Sequence, residues 1–135
     1  MTTNTTALLY LRAAHSSDAA IAEQHKLCTD FAEARGWRVL QVIVDNGVSG
    51  VSDAPGLTIL RNRIAGGEAQ AIIATDLARI SRDPERLQGF ARFCRQHGAD
   101  LCCATQAANL DAILNPAKSA GNFINALYDA RETCS

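Results

Sequence analysis

Apolar positions along this chain switch repeatedly between short strand-like runs and longer stretches with helical spacing. The first run, Ala7–Ala13, contains Arg12 near its end and reads as a buried strand behind a polar tail, Met1–Thr6. Ser16-Ser17-Asp18 then offers N-cap oxygens for a helix over about Ala19–Ala34, closed by Gly36. Ile21, Leu27, Phe31 and Ala34 form its apolar stripe. Trp37–Val44 alternates and is rich in β-branched residues, which predicts a second strand. From Asp45-Asn46-Gly47-Val48-Ser49-Gly50 to Pro55-Gly56 the chain is dense in turn formers and predicts a loop. A helix over Leu57–Ala65 stops at Gly66-Gly67, and Ala69–Thr75 is a third apolar strand. Asp83 as cap and Pro84 at the first position predict a helix to about His97, ended by Gly98. Asp100–Ala104 follows as a fourth strand. Gln106–Asn115 is polar and irregular, and Pro116–Glu132 has the spacing of a last helix carrying Phe123, Ile124, Leu127 and Tyr128.

Strands alternating with longer helices predict an α/β fold: a mostly parallel central sheet of about four to five strands, helices on both faces, and a C-terminal helix. Residues 1–104 make up the α/β unit, and residues 105–135 a connecting loop and the terminal helix. In open sheets of this kind, sites collect at the carboxyl ends of the strands. Arg12, Asp45 and Arg79 all fall at or just after predicted strand ends, on that one rim. The apolar face of the terminal helix needs a partner, which predicts a dimer or higher oligomer through Phe123, Ile124, Leu127 and Tyr128.

Composition narrows the classes of function. With 135 residues, 47 % hydrophobic and 20 % charged, the chain is one ordinary globular domain and not a disordered segment. Aromatics are only 5 %, so Ala, Leu, Ile and Val must build the core. A formal net charge of −1 gives no molecule-wide basic field, and any nucleic-acid contact must come from a local patch. No apolar run approaches the ~20 residues that span a bilayer, so we expect a cytoplasmic protein without a membrane partner. The five cysteines include no Cys-x-x-Cys pair, and we expect no disulfide framework. His25-x-x-Cys28 and Cys94-x-x-His97 would make a zinc site only if their helices faced each other; we expect no metal and no cofactor.

The chemistry-bearing residues are Tyr10-Leu11-Arg12-Ala13-Ala14 and Asp76-Leu77-Ala78-Arg79-Ile80-Ser81-Arg82-Asp83. Three arginines that can meet at one rim suit a phosphate, because a guanidinium fork binds phosphate oxygens bidentately and keeps its charge. Preorganised donors of that kind are worth ~3–4 kcal/mol each to a phosphoryl-transfer transition state. The spacing Tyr-x-Arg-x-Ser after a first strand, with Arg-x-x-Arg after a third, is that of the serine recombinases, and this chain resembles that resolvase/invertase family over residues 7–104. Residues 116–132 resemble the start of the family's long dimerisation helix more loosely. The resemblance implies site-specific DNA recombination through a serine joined covalently to a DNA 5′ phosphate, without a metal. It assigns phosphate contacts to Arg12, Arg79 and Arg82, with Asp83 as the next residue of that motif. Gln24 matches a helix glutamine near the active loop with one residue of slack. Asp45, Ser49 and Gly50 match an Asp-x-x-x-Ser-Gly loop, and Pro55-Gly56-Leu57 the start of the second helix.

The departures matter as much. Ala14 holds the nucleophile's position, Ala54 that of an arginine before the Pro-Gly-Leu motif, and Ala78 that of an aspartate before the arginine pair. A methyl group cannot attack phosphorus. The leading expectation is therefore a recombinase-type domain impaired in catalysis, an oligomer that touches DNA backbone phosphate and pairs with an active relative. The alternative is an active recombinase using Ser16 or Ser17, or an engineered inactive form of one; against it, both serines also suit a helix N-cap. A weaker third reading is an α/β domain binding a small ligand at the same rim. The more ordinary reading of Arg79 and Arg82 is a solvated turn with Asp76 and Asp83 as partners, and of Asp45 a loop cap. His15, beside Ala14, is a candidate general base or a solvated loop residue. Family members append a DNA-reading module after the long helix, whereas here Arg131 is the only basic residue in the last 17. We expect no sequence-specific DNA reading from this segment.

Overall fold

A computed structural model of the chain describes residues 5–49, 54–106 and 110–114. Four strands form one sheet: β1 (Thr6–Ala13), β2 (Arg38–Asn46), β3 (Ala71–Ala74) and β4 (Asp100–Cys103), in the order β2-β1-β3-β4. Every pairing is parallel. Five helices connect or follow them: α1 (Asp18–Ala34), α2 (Pro55–Ala65), α3 (Leu77–Ile80), α4 (Pro84–Gln96) and α5 (Leu110–Leu114). The fold class expected from the pattern is the one observed.

The two faces of the sheet are filled by alternate residues of β1, as a period of two requires. Leu8 and Tyr10 join Leu57, Leu60 and Ile64 of α2, Leu87, Phe90 and Cys94 of α4, and Leu110 and Ile113 of α5. Leu9 and Leu11 face the other way, toward Cys28 and Ala32 of α1, with Ile21, Phe31 and Trp37 at the margin. Each fully buried Leu, Ile or Phe contributes ~1.5–3 kcal/mol relative to exposure. Both faces cover β1 and β3, which explains their continuous apolar runs; β2 is an edge strand and alternates.

Element ends differ from the expectation where a local contact decides them. β2 continues to Asn46 because Arg12 pairs with Asp45 and Ala13 with Asn46, which makes Asp45 a strand residue and not a loop residue. Gly47, at φ +85°, then turns the chain while its N–H and that of Val48 donate to the carbonyl of Ala13. α3 is a single turn, too short to leave a periodic signal. α5 lies within the stretch expected to be irregular, since Leu110 and Ile113 reach the α2–α4 core. The terminal helix expected over Pro116–Glu132, with Phe123, Ile124, Leu127 and Tyr128, lies outside the described residues, as does Gly50.

The start of α2 shows why its residues are as they are. Ala54 occupies the N-cap and has no side-chain oxygen to offer. Asp45 supplies one from β2: its carboxylate accepts from the Gly56 N–H at 3.0 Å and from the Tyr10 hydroxyl at 2.6 Å, all buried. The carboxylate also faces the positive end of the helix dipole. This close approach requires glycine, since a Cβ at position 56 would lie 2.4 Å from Asp45 Oδ2 and 2.9 Å from Tyr10 Cε1. We predict that Gly56→Ala destabilises the domain by roughly 1–3 kcal/mol, the usual cost of overpacking, in denaturant unfolding. An unchanged midpoint would refute this close packing.

Candidate functional site at the carboxyl rim of the sheet

Parallel strands bring all four carboxyl ends to one rim, and the segments that follow β1, β3 and β4 enclose a cavity of about 580 Å³ there. Ala13, Ala14, His15, Ser17, Ala20, Glu23, Gln24 and Leu27 line it from the β1–α1 side. Thr75, Asp76, Arg79, Arg82 and Thr105 line it from the other.

Arg12 reaches the rim but points away from this cavity. It follows Leu8 and Tyr10 onto the α2–α4 side of the sheet and is only 2 % exposed. Its Nε donates to the Val48 carbonyl at 3.1 Å and its Nη1 to the Ile80 carbonyl at 3.2 Å, with a longer 3.5 Å contact to that of Arg79. Its Nη2 donates to the carbonyl of Ser49, whose own side chain is exposed. Arg12 thus straps the segment after β2 to α3, where the resemblance implies a phosphate contact.

The backbone of Arg12 is held as firmly as its side chain. Gln24, buried in α1, accepts the Arg12 N–H at 3.0 Å and donates to its carbonyl at 2.9 Å. The carboxamide copies the peptide edge of a neighbouring strand. Arg79 donates to the same carbonyl through Nη1 at 3.1 Å, and its Nε lies 3.4 Å from Thr75 Oγ1 and 3.6 Å from Asp76 Oδ2.

Arg82 is half-buried, borders the cavity, and makes no hydrogen bond or ion pair among the described residues. The surface-turn reading holds for neither of its proposed pairs in full. Asp83 pairs with Arg86 at 3.5 Å and caps α4 through the Glu85 N–H, while Asp76, paired with Arg79, is buried.

Asp76 was visible in the sequence only as a partner for Arg79, yet it is the most unusual group here. Its side chain is 8 % exposed, and its Oδ1 is enclosed without any hydrogen-bond partner among the described residues. Only its position directly after the third apolar strand could have signalled this.

Ala14 is exposed and borders the cavity, whereas Ala54 and Ala78 are buried and do not. Ser17 is the N-cap of α1: its Oγ accepts from the Ala20 N–H at 3.2 Å, and its N–H donates to Asn46 Oδ1. Ser17 also lines the cavity; Ser16 is exposed and sits beside Gly47. The two Cys/His pairs fall on opposite faces of the sheet, Cys28 under α1 and Cys94 under α4, so they cannot share an ion.

Burial dominates the remaining electrostatics. It pushes the Tyr10 hydroxyl upward, and the hydrogen bond to Asp45 adds to this, so Tyr10 stays a neutral donor. Burial likewise pushes the Cys28 and Cys94 thiols up to about 12, and moves Cys103 upward as well. Their thiolates form only in strong alkali, and the thiolate is the nucleophile. At pH 8 we predict that Cys28, Cys94 and Cys103 resist iodoacetamide in the folded protein and react after denaturation. Rapid alkylation of any of them under native conditions, read by peptide mass spectrometry, would overturn that assignment.

Comparison with known proteins agrees with this architecture. The family described as Resolvase, N terminal domain, matches residues 7–131, and the chain belongs to it. The N-terminal catalytic domain of TP901-1 integrase superposes with a TM-score of 0.75 at 22 % identity, covering 96 % of each chain. A resolvase family site-specific recombinase from Streptococcus pneumoniae gives 0.71 at 16 % identity, covering 97 % of this chain and 96 % of that one. The C-terminal catalytic domain of ISC1926 TnpA, an IS607-like serine recombinase, gives 0.68 at 22 % identity, covering 73 % of this chain and 70 % of that one. No curated protein matches the chain. Among the described residues, no helix is long and apolar enough to cross a membrane.

Proposed function

We propose that this resolvase-type domain engages the phosphate backbone of DNA at its strand rim but does not cut it. The observation that carries the reading is a cavity with Arg79 and Arg82, the latter unpaired among the described residues, on one wall and the methyl of Ala14 on the other. The arginines supply charge for a phosphodiester, and Ala14 supplies no oxygen to attack it. Gln24, Arg12 and Asp45 act as positioning residues, holding the rim through backbone contacts. Assembly through Phe123, Ile124, Leu127 and Tyr128, with a second copy or an active relative, belongs to the same proposal.

Incubated with plasmid DNA carrying the sequence that flanks its own gene, the unmodified chain is expected to yield no covalent protein–DNA adduct on denaturing gels. An adduct would overturn the impairment. Ala14→Ser restores the missing hydroxyl and tests whether the remaining machinery is competent. Arg82→Ala should weaken duplex binding and lower the slope of log affinity against log salt by about one unit. An unaltered slope would remove Arg82 from the interface.

One observation favours a second reading, an active recombinase: Ser17 lines the cavity. Its oxygen already serves as the helix cap, so attack would have to sacrifice the first turn of α1. An adduct lost on Ser17→Ala would establish it. Light scattering after size exclusion tests assembly. We expect a dimer or larger, and Leu127→Asp should shift it to monomer; a monomer at high concentration would refute this.

A further inference from the structure

We infer that the open edge of β2 is an interface between two copies of this chain, paired antiparallel about a two-fold axis at Val42. The contact is separate from the phosphate reading and from assembly through the terminal helix. Three observations carry it.

The first is the edge itself. β2 is nine residues long and pairs with β1 alone, so its other side meets no strand among the described residues. Only another strand supplies backbone donors and acceptors in matching alternation. Edges are usually protected by brevity, proline or charge. β4, at the opposite edge, is four residues long and begins with the exposed Asp100. In β2, no residue from Val39 to Val44 is charged and none is proline. Its one interruption is a register shift that leaves Leu40 without a partner on β1, and Gln41–Asn46 pair regularly beyond it.

The second is where exposed apolar side chains collect. Four large hydrophobic residues are exposed among the described residues, and three stand at this edge: Leu40 at 39 %, Val44 at 45 % and Ile59 at 39 %. Val39 and Val42 pack toward α1, and Val44, two residues on, extends that face. Ile59 lies one turn before Arg63, whose Nε donates to Gln41 Oε1 at 3.1 Å, so that face of α2 overhangs the strand. Apolar surface flanks the open backbone on both sides of the sheet.

The third is self-complementarity. A two-fold axis requires one surface to fit itself, and two β2 strands related by it run antiparallel. Centred on Val42, the pairing sets that residue opposite itself and Leu40 opposite Val44 of the second copy. It brings Ile59 of both copies toward the axis. Arg38 is exposed, and its side chain makes no hydrogen bond or ion pair among the described residues. The pairing carries it to the far end of the other strand, where Asn46 Nδ2 donates to the exposed Asp18 at 3.2 Å. An apolar centre with opposite charges at its two ends suits a second copy of the same strand. Two four-stranded sheets then become one.

One strand edge falls short of the ~800 Å² per partner of a stable interface, so this contact alone has roughly millimolar affinity. The test is light scattering of the full chain from roughly 10 μM to 1 mM, with far-ultraviolet circular dichroism as the check on folding. We expect a species of twice the basal mass to grow in with concentration. Leu40→Lys and Val44→Lys, both at exposed positions, should each remove it and leave the basal mass and the spectrum unchanged. Arg38→Glu should weaken it about three-fold, and adding Asp18→Arg should restore it. In a mixture of labelled and unlabelled chain, NMR should show intermolecular Overhauser contacts between Leu40 and Val44. The same contacts should persist near ~1 mM in Leu127→Asp, which lacks the helix contact. The inference falls if the heavier species is absent throughout, survives both lysine substitutions, or shows its intermolecular contacts away from β2. Each of those results leaves the phosphate site and the terminal-helix dimer standing.

Discussion

The peptide unit of Arg12 is the point on which the rim depends. Its N–H and carbonyl are both held by Gln24 from α1, the carbonyl is held again by Arg79, and the side chain gathers carbonyls from residues 48, 49 and 80. One residue therefore ties together β1, α1, the segment after β2 and α3. A buried guanidinium is tolerable only because oxygen surrounds it, and hydrogen bonds to charged groups contribute ~1.5–3 kcal/mol each. Removing any one partner would leave a charge or a carbonyl stranded, so the arrangement is held as a set.

A second buried set, Tyr10, Asp45 and the first turn of α2, ties β1 and β2 to α2. Between them the two networks fix where the loops leave the sheet. The cavity wall is then shaped by backbone that is anchored from behind, while Arg82, which lines the cavity, makes no hydrogen bond or ion pair among the described residues. Rigidity behind and freedom in front is the division of labour a binding site needs.

Most of the fold was legible in the sequence because the strands and long helices carry strong periodicities. The Asp83-Pro84 start of α4 and the Ser17 cap of α1 were readable for the same local reason. α3 and α5 were not, since one turn of helix has no period and α5 is helical through contacts with α4 and the core. At the site, the arginines and Gln24 were legible as positions, but the backbone contacts that Arg12, Arg79 and Gln24 make were not. Spacing places Arg12 at the rim, yet only the parity of β1 decides which face it enters. Asp76 was legible as a partner for Arg79 but not as a buried group, because the enclosure of its Oδ1, without a hydrogen-bond partner among the described residues, arises from packing and not from any pattern of neighbours.

Ala14 stands apart from all of this. Its side chain is solvent-facing and belongs to neither buried network. What sits at that one position therefore bears little of the structural load. A change of side chain there leaves the hydrogen bonds of both networks in place.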